Sequence, residues 1–298
     1  MSPAVNNLFP EAFLAAVGGL SLVLADARHG VRAGAHLSRA AAGSSTEFRD
    51  HQPYSPGDDL RRVDWNVYGR TRHLVLRRFE RPTAVPVHVM VDGSPSMSLG
   101  TPGRYPTAAR LAVAIAAASL AGGDPVGLSI SGRPVGPPAA GRPALARLLE
   151  ALAASRPPAR VGPAAAVRAA LAAAGRRPAG VLVVISDLFE PAGVDALLDA
   201  LRAAPGRLVL LRVTHPTDAD PPWAGPVALA DCEADADVLH VDAGDPGVRD
   251  RYRSAYGAYF AAVDGFAAAR GAVSATIDAA ADTLPQLAPL FPGGVMAL

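Results

Sequence analysis

The chain has 298 residues, half of them apolar and 18% charged, with 28 basic side chains against 27 acidic ones. That length and polarity suit one large core, or one core with a smaller appended layer, and exclude a disordered chain. A net charge of +1 gives no sign of nucleic-acid binding, and the single cysteine, Cys232, excludes an internal disulfide framework or a Cys-based zinc cluster and fits the reducing cytoplasm.

Residues 1–81 read as one segment. A helix is expected near 10–27. Its apolar stretch, 12–25, has no Arg or Lys before it and Glu11 at its edge, and it falls short of the roughly 20 residues that span a bilayer. A docked amphipathic helix is therefore expected, not a signal peptide or a membrane span. A Gly/Ser-rich connector at 30–45 leads into a dense polar stretch that ends in the strand-like HLVLRRFE at 73–80. Between Arg28 and Arg81, eleven Arg stand against six acids, a local excess of five positive charges. Pro56-Gly57 is a turn dipeptide, and Asp58, Asp59 and Asp64 lie among Arg61, Arg62 and Arg70. This pattern predicts a paired ion network that fastens the segment to the rest of the chain, with Trp65 buried as an apolar anchor. The alternative is that part of the stretch is an exposed recognition surface.

From about 82 to 298, short apolar runs alternate with longer Ala/Leu-rich runs. Strands are expected at 86–92, 126–131, 180–186, 207–213 and 272–277, and helices at 104–121, 143–153, 164–174, 193–204 and 247–270. The alternation predicts an α/β domain with a doubly wound, mostly parallel sheet, the N-terminal segment packing on it. On the last helix Tyr252, Tyr256, Tyr259, Val263 and Phe266 share one face and are expected to pack into the core.

Two of the apolar strands end in acids, Asp92 and Asp187. In an open doubly wound sheet, ligands sit at the carboxyl ends of strands where the strand order reverses, so strands 86–92 and 180–186 flanking that reversal would bring both carboxylates to one crevice. Two acids held that close share a proton, bind a cation or face a basic partner. The loop after Asp92 adds Ser94 and Ser96, and carboxylate and hydroxyl oxygens at a strand end suit a hard cation such as Mg²⁺. The plainer expectation is that Asp92 and Ser94 hydrogen-bond the loop backbone.

The run DGSPSM resembles the Asp-x-Ser-x-Ser element of the metal-ion-dependent adhesion site of von Willebrand factor A domains, and Ser186-Asp187 falls where that site has its later Asp. The resemblance also calls for a Thr from an intervening loop. Here that loop, RPPARVGP at 156–163, has neither Ser nor Thr, so a Mg²⁺ ion held only weakly is expected on Asp92, Ser94, Ser96 and Asp187.

A second resemblance covers nearly the whole chain. Tyr54, Pro56, Gly57, Asp58, Asp59, Arg61, Asp64 and Trp65 match a Tyr-x-Pro-Gly-Asp-Asp-x-Arg-x-x-Asp-Trp element, followed by a strand and Asp-x-Ser-x-Ser, then ISDLFE and the acidic LADCEADADVLHVD. This resembles the bacterial family called domain of unknown function 58. It implies a von Willebrand factor A-like, non-enzymatic protein-binding or adaptor module that works with a MoxR-type AAA+ ATPase in the assembly or maturation of other proteins. Many relatives carry two membrane helices upstream; none is expected here.

Other chemistries find less support. Ser94 lacks a Gly-x-Ser-x-Gly elbow, the seven His show no metal-ligand spacing, and without a Lys the chain has no phosphate-binding Gly-Lys loop. The main rival is a Mg²⁺-dependent phosphodiesterase or nuclease built on Asp58, Asp59, Asp64 and Asp92, since clustered acids with a basic flank suit phosphodiester cleavage.

Overall fold

The computed structural model describes residues 3–18, 47–55, 60, 63–80, 84–155, 160–174, 180–233 and 238–287. The chain opens with helix α1 (Pro3–Leu8) and a second helix, α2, over 11–18. The rest of the helix expected to 27, and the connector at 30–45, lie outside the described residues. Val5, Phe9 and Val17 are buried in the same cluster as the sheet residues Val87, Val89 and Val91, so these first helices share a core with the sheet.

Strands β1 (Glu47–Pro53) and β2 (Val75–Glu80) pair antiparallel, with an irregularity between Phe48 and Asp50. Helix α3 (Trp65–Thr71) sits between them in sequence. It has no buried residue and hence no apolar periodicity, which is why the sequence does not announce it. Asp64 caps it, accepting from the N–H groups of Asn66 at 3.0 Å and Val67 at 3.2 Å, and so meets two of the helix's orphan donors.

The five apolar runs form the parallel strands β3 (Val87–Val91), β4 (Val126–Ile130), β6 (Val181–Ser186), β7 (Arg207–Thr214) and β10 (Val273–Asp278). A two-residue edge strand, β5 (Arg133–Pro134), adds antiparallel to β4, giving the order β10-β7-β6-β3-β4-β5. Alternate residues serve opposite cores. On β6, Val181, Val183 and Ile185 face one cluster while Leu182 and Val184 face the other, so a strand buried on both sides reads as an unbroken apolar run.

Helices α4 (Arg104–Ala121) and α5 (Arg142–Ala154) cover one face, and α6 (Pro163–Ala174), α7 (Val194–Arg202) and α8 (Pro246–Arg270) the other. Helix α4 is buried along most of its length because the sheet lies on one side of it and α1, α5 and the short α9 (Thr283–Leu287) lie against it elsewhere. Its many Ala residues let those neighbours approach closely. On α8 the aromatic stripe is buried only in part: Tyr256, Tyr259 and Phe266 pack against the core, whereas Tyr252 is 40% exposed. Phe260, off the expected stripe, is the buried aromatic, because the core contact is rotated toward Phe260, Val263 and Ala267. A hairpin, β8 (Pro226–Leu229) with β9 (Leu239–Asp242), intervenes before α8.

The first chain crossing from β3 goes to β4 on one side, while β6, β7 and β10 follow on the other. The strand order therefore reverses between β3 and β6. Among the described residues, no helix is long and apolar enough to cross a membrane.

Candidate functional site

Asp92 and Asp187 follow β3 and β6 at the reversal point, as the two apolar runs imply. The Asp92 N–H donates to Ile185 O at 2.9 Å, extending the β3–β6 pairing by one residue and fixing where its side chain starts. That carboxylate is 0% exposed: Oδ1 accepts from Ser94 N–H at 2.8 Å and Oδ2 from the Ser186 hydroxyl at 2.5 Å. The Ser94 and Ser96 hydroxyls pair at 3.0 Å, and Ser96 lies close enough to Asp187, which is 8% exposed, to lower its proton affinity. Asp92, Ser94 and Ser96 are thus joined by hydrogen bonds, and Asp187 lies close enough to act electrostatically on Asp92. The backbone bond to Ser94 is also what the plainer structural expectation called for.

The electrostatics follow from burial. Loss of water pushes Asp92 up to about 6, and the Asp187 charge adds to this, against the pull of the Ser186 and Ser94 hydrogen bonds. Asp187 is also raised, first by burial and then by Glu233, while Ser96, the Phe189 N–H and Arg104 oppose the rise. Both acids are held above their usual range chiefly by burial.

Several residues that shape the site are not singled out by sequence. Glu233, in the acidic segment after β8, accepts from Ser96 N–H at 2.9 Å. Arg104, the first residue of α4, donates to Ser96 O at 2.8 Å and forms an ion pair with Asp218. The 3₁₀ turn Pro95–Ser98 is thereby held between a guanidinium and a carboxylate. On the other wall, Leu188 takes a left-handed backbone, φ 60°, unusual for a branched residue. Its N–H donates to Ser186 Oγ, and the Tyr259 hydroxyl donates to its carbonyl at 3.0 Å while accepting from Glu190 N–H at 2.9 Å. Tyr259 is therefore a clamp on the ISDLFE loop as well as a packing residue.

The loop where the resemblance calls for a Thr is described from Arg160 onward; residues 156–159 lie outside. Glu190 reaches into it, accepting from Ala164 N–H at 2.8 Å, and a Cβ placed on Gly162 would meet Glu190 Oε2 at 3.0 Å. The start of α6 is thus served by a carboxylate from the β6 loop.

The donors in the crevice are mostly buried carboxylate and hydroxyl oxygens, a set that suits a hard divalent cation. Among the described residues no three His, Cys, Asp or Glu side chains converge as a metal cage, so hydroxyls and water would fill most of the shell.

The signature element fares differently. Pro56, Gly57, Asp58, Asp59 and Arg61 lie outside the described residues. Tyr54 is half-buried, with its N–H on Leu74 O at 3.0 Å. Asp64 is buried as the cap of α3. Trp65 is 58% exposed, which corrects the expectation of a buried anchor: as the first residue of a short helix with no buried face, it projects to solvent. Of the acids a phosphodiesterase would need, Asp58 and Asp59 lie outside the description and Asp64 is engaged in capping.

Compared with known families, the chain matches the one described as "Protein of unknown function DUF58" over residues 50–259. The chain belongs to the DUF58 family. It is 30% identical over 273 residues to the uncharacterized proteins Mb1516 of Mycobacterium bovis and Rv1480 of Mycobacterium tuberculosis strain H37Rv, a match that covers 84% of this chain and 79% of each relative. The DUF58 match takes in the signature element, the strand-end crevice and the acidic segment that carries Glu233.

Proposed function

We propose that this DUF58 chain is a non-enzymatic, von Willebrand factor A-like protein-binding module of the cytoplasm whose contact point is the crevice at the ends of β3 and β6. The observation that carries this reading is the convergence of Asp92, Ser94, Ser96 and Asp187 at the point where the strand order reverses. Asp92, Ser94, Ser96 and Asp187 would hold Mg²⁺, and the ion, when bound, supplies a Lewis-acidic position for an oxygen ligand of the partner. The residues of the chain do the remaining work. Arg104 and Glu233 fix the serine turn, and Ser186 and Tyr259 hold the opposite wall, so the oxygens are set before a partner arrives. The paired hydroxyls of Ser94 and Ser96 favour this donor role over that of a nucleophile backed by a base.

The partner in this reading is a MoxR-type AAA+ ATPase, and the cooperative task is the assembly or maturation of other proteins. The test is titration of the purified ATPase from the same genome against this chain, with Mg²⁺ and with EDTA, using wild type and Asp187→Asn. Saturable binding that weakens at least about tenfold with EDTA and with the variant is expected, roughly 1.4 kcal/mol. Binding of equal strength in all four cases would remove the crevice from the contact.

A further inference from the structure

Trp65, Tyr68 and Arg72 stand three and four residues apart, on one side of α3. The Trp65 and Tyr68 rings meet edge to face, with centroids 6.1 Å apart and planes at 89°. Arg72 closes the strip, its guanidinium carbon 6.0 Å from the Tyr68 centroid. Each end of the helix is pinned, by the Asp64 carboxylate at the start and by the left-handed Arg72, whose N–H returns to Tyr68 O, at the finish. Behind it, Val63 bridges to Leu76, and both are buried.

The result is an aromatic pair held in place, with Trp65 58% exposed and Tyr68 half-buried beside it. Trp, Tyr and Arg dominate binding hot spots because they offer wide contact area at small entropic loss, and their mutual stacking lowers that loss further. Among the described side chains of 63–76, the exposed charges are Arg70 and Arg72, and the acid, Asp64, is buried as the helix cap.

We propose that the Trp65–Tyr68–Arg72 strip is a second docking surface, separate from the crevice, for an acidic protein surface that carries an apolar pocket for the indole. The apolar ring would supply residence time, and the flanking Arg residues would supply orientation and a salt-sensitive association rate.

The test uses the full chain in its own host, with the photocrosslinking residue p-benzoylphenylalanine at the exposed Asn66. The captured species is identified, purified and titrated against wild type, Trp65→Ala, the Arg70→Glu/Arg72→Glu pair and, as a charge control at the exposed end of α7, Arg202→Glu. The expected capture is a protein whose affinity falls at least about 30-fold with Trp65→Ala, falls with the Arg pair in a salt-dependent way, and is unchanged by Arg202→Glu. Thermal melts establish that each variant is folded. Capture of nucleic acid, capture of a second copy of this chain, no capture, or a captured protein that binds Trp65→Ala as tightly as wild type would each overturn the proposal.

Discussion

Glu233 accepts a hydrogen bond from the backbone N–H of Ser96 at 2.9 Å, although 137 residues separate the two. This single contact fastens the acidic segment after β8 to the turn after β3, and it brings a third carboxylate toward Asp187, whose proton affinity it raises. Glu233→Gln keeps an acceptor for Ser96 N–H and removes the charge. The Asp187 carboxyl should then titrate at lower pH, as followed by carbon-detected NMR. An unmoved titration would mean that the two carboxylates do not feel each other.

Two buried groups pull the pH dependence of stability in opposite directions. Asp92 has its folded pKa raised from 3.8 to about 6, so its stabilising contribution is present below the lower value and is lost as pH rises through about 6. His88, whose Nε2 lies 2.5 Å from Ser129 Oγ, is lowered by burial from 6.5 to about 4, so its contribution is present above 6.5 and is lost as pH falls toward 4. Each amounts to something on the order of 3 kcal/mol, so between pH 4 and 6 the two largely cancel. Urea melts of Asp92→Asn should therefore show stability rising with pH across that window, and those of His88→Gln should show it falling. Parallel wild-type and variant curves would contradict both assignments.

Asp64 and Trp65 adjoin in sequence and differ in role. Loss of the cap in Asp64→Ala should cost about 1 kcal/mol, and Asp64→Asn, which keeps the acceptor, should recover most of it. Trp65→Ala should change stability by less than about 0.5 kcal/mol, as for other exposed positions. Chemical denaturation of the three variants checks this. A cost of about 3 kcal/mol or more for Asp64→Ala would point to a broken buried ion pair instead.

With hydroxyls and water making up much of the shell, Mg²⁺ should bind weakly, with a Kd of about millimolar order. Binding should strengthen as pH rises through the range where Asp92 ionises, since the proton and the cation compete for one carboxylate. Titration calorimetry at two pH values on either side of 6 measures both effects. Micromolar binding, or binding indifferent to pH, would contradict this donor set.

Much of the sheet was legible because its physics is local. A strand buried on both faces has to be a continuous apolar run, and all five runs became parallel strands within a residue or two of their expected limits. The helices over them were equally plain, α4 matching its expected span from Arg104 to Ala121. The short elements were not. Helix α3 and the β8–β9 hairpin bury too little to leave a period in the sequence, and β5 spans only two residues.

The sequence by itself determined that Asp92 and Asp187 stand at carboxyl ends of buried strands, because an acid that closes an apolar run has nowhere else to lie. It also determined family membership, through the spacing of the signature element. Only the tertiary structure decided that β3 and β6 are neighbours, that Glu233 and Arg104 grip the Ser96 turn from opposite sides, and that Trp65 faces water. The reason is the range of the forces involved. Hydrophobic periodicity records which side of an element is dry, whereas hydrogen bonds between distant loops, and the exposure of one residue on a short capped helix, depend on where those elements meet the rest of the chain.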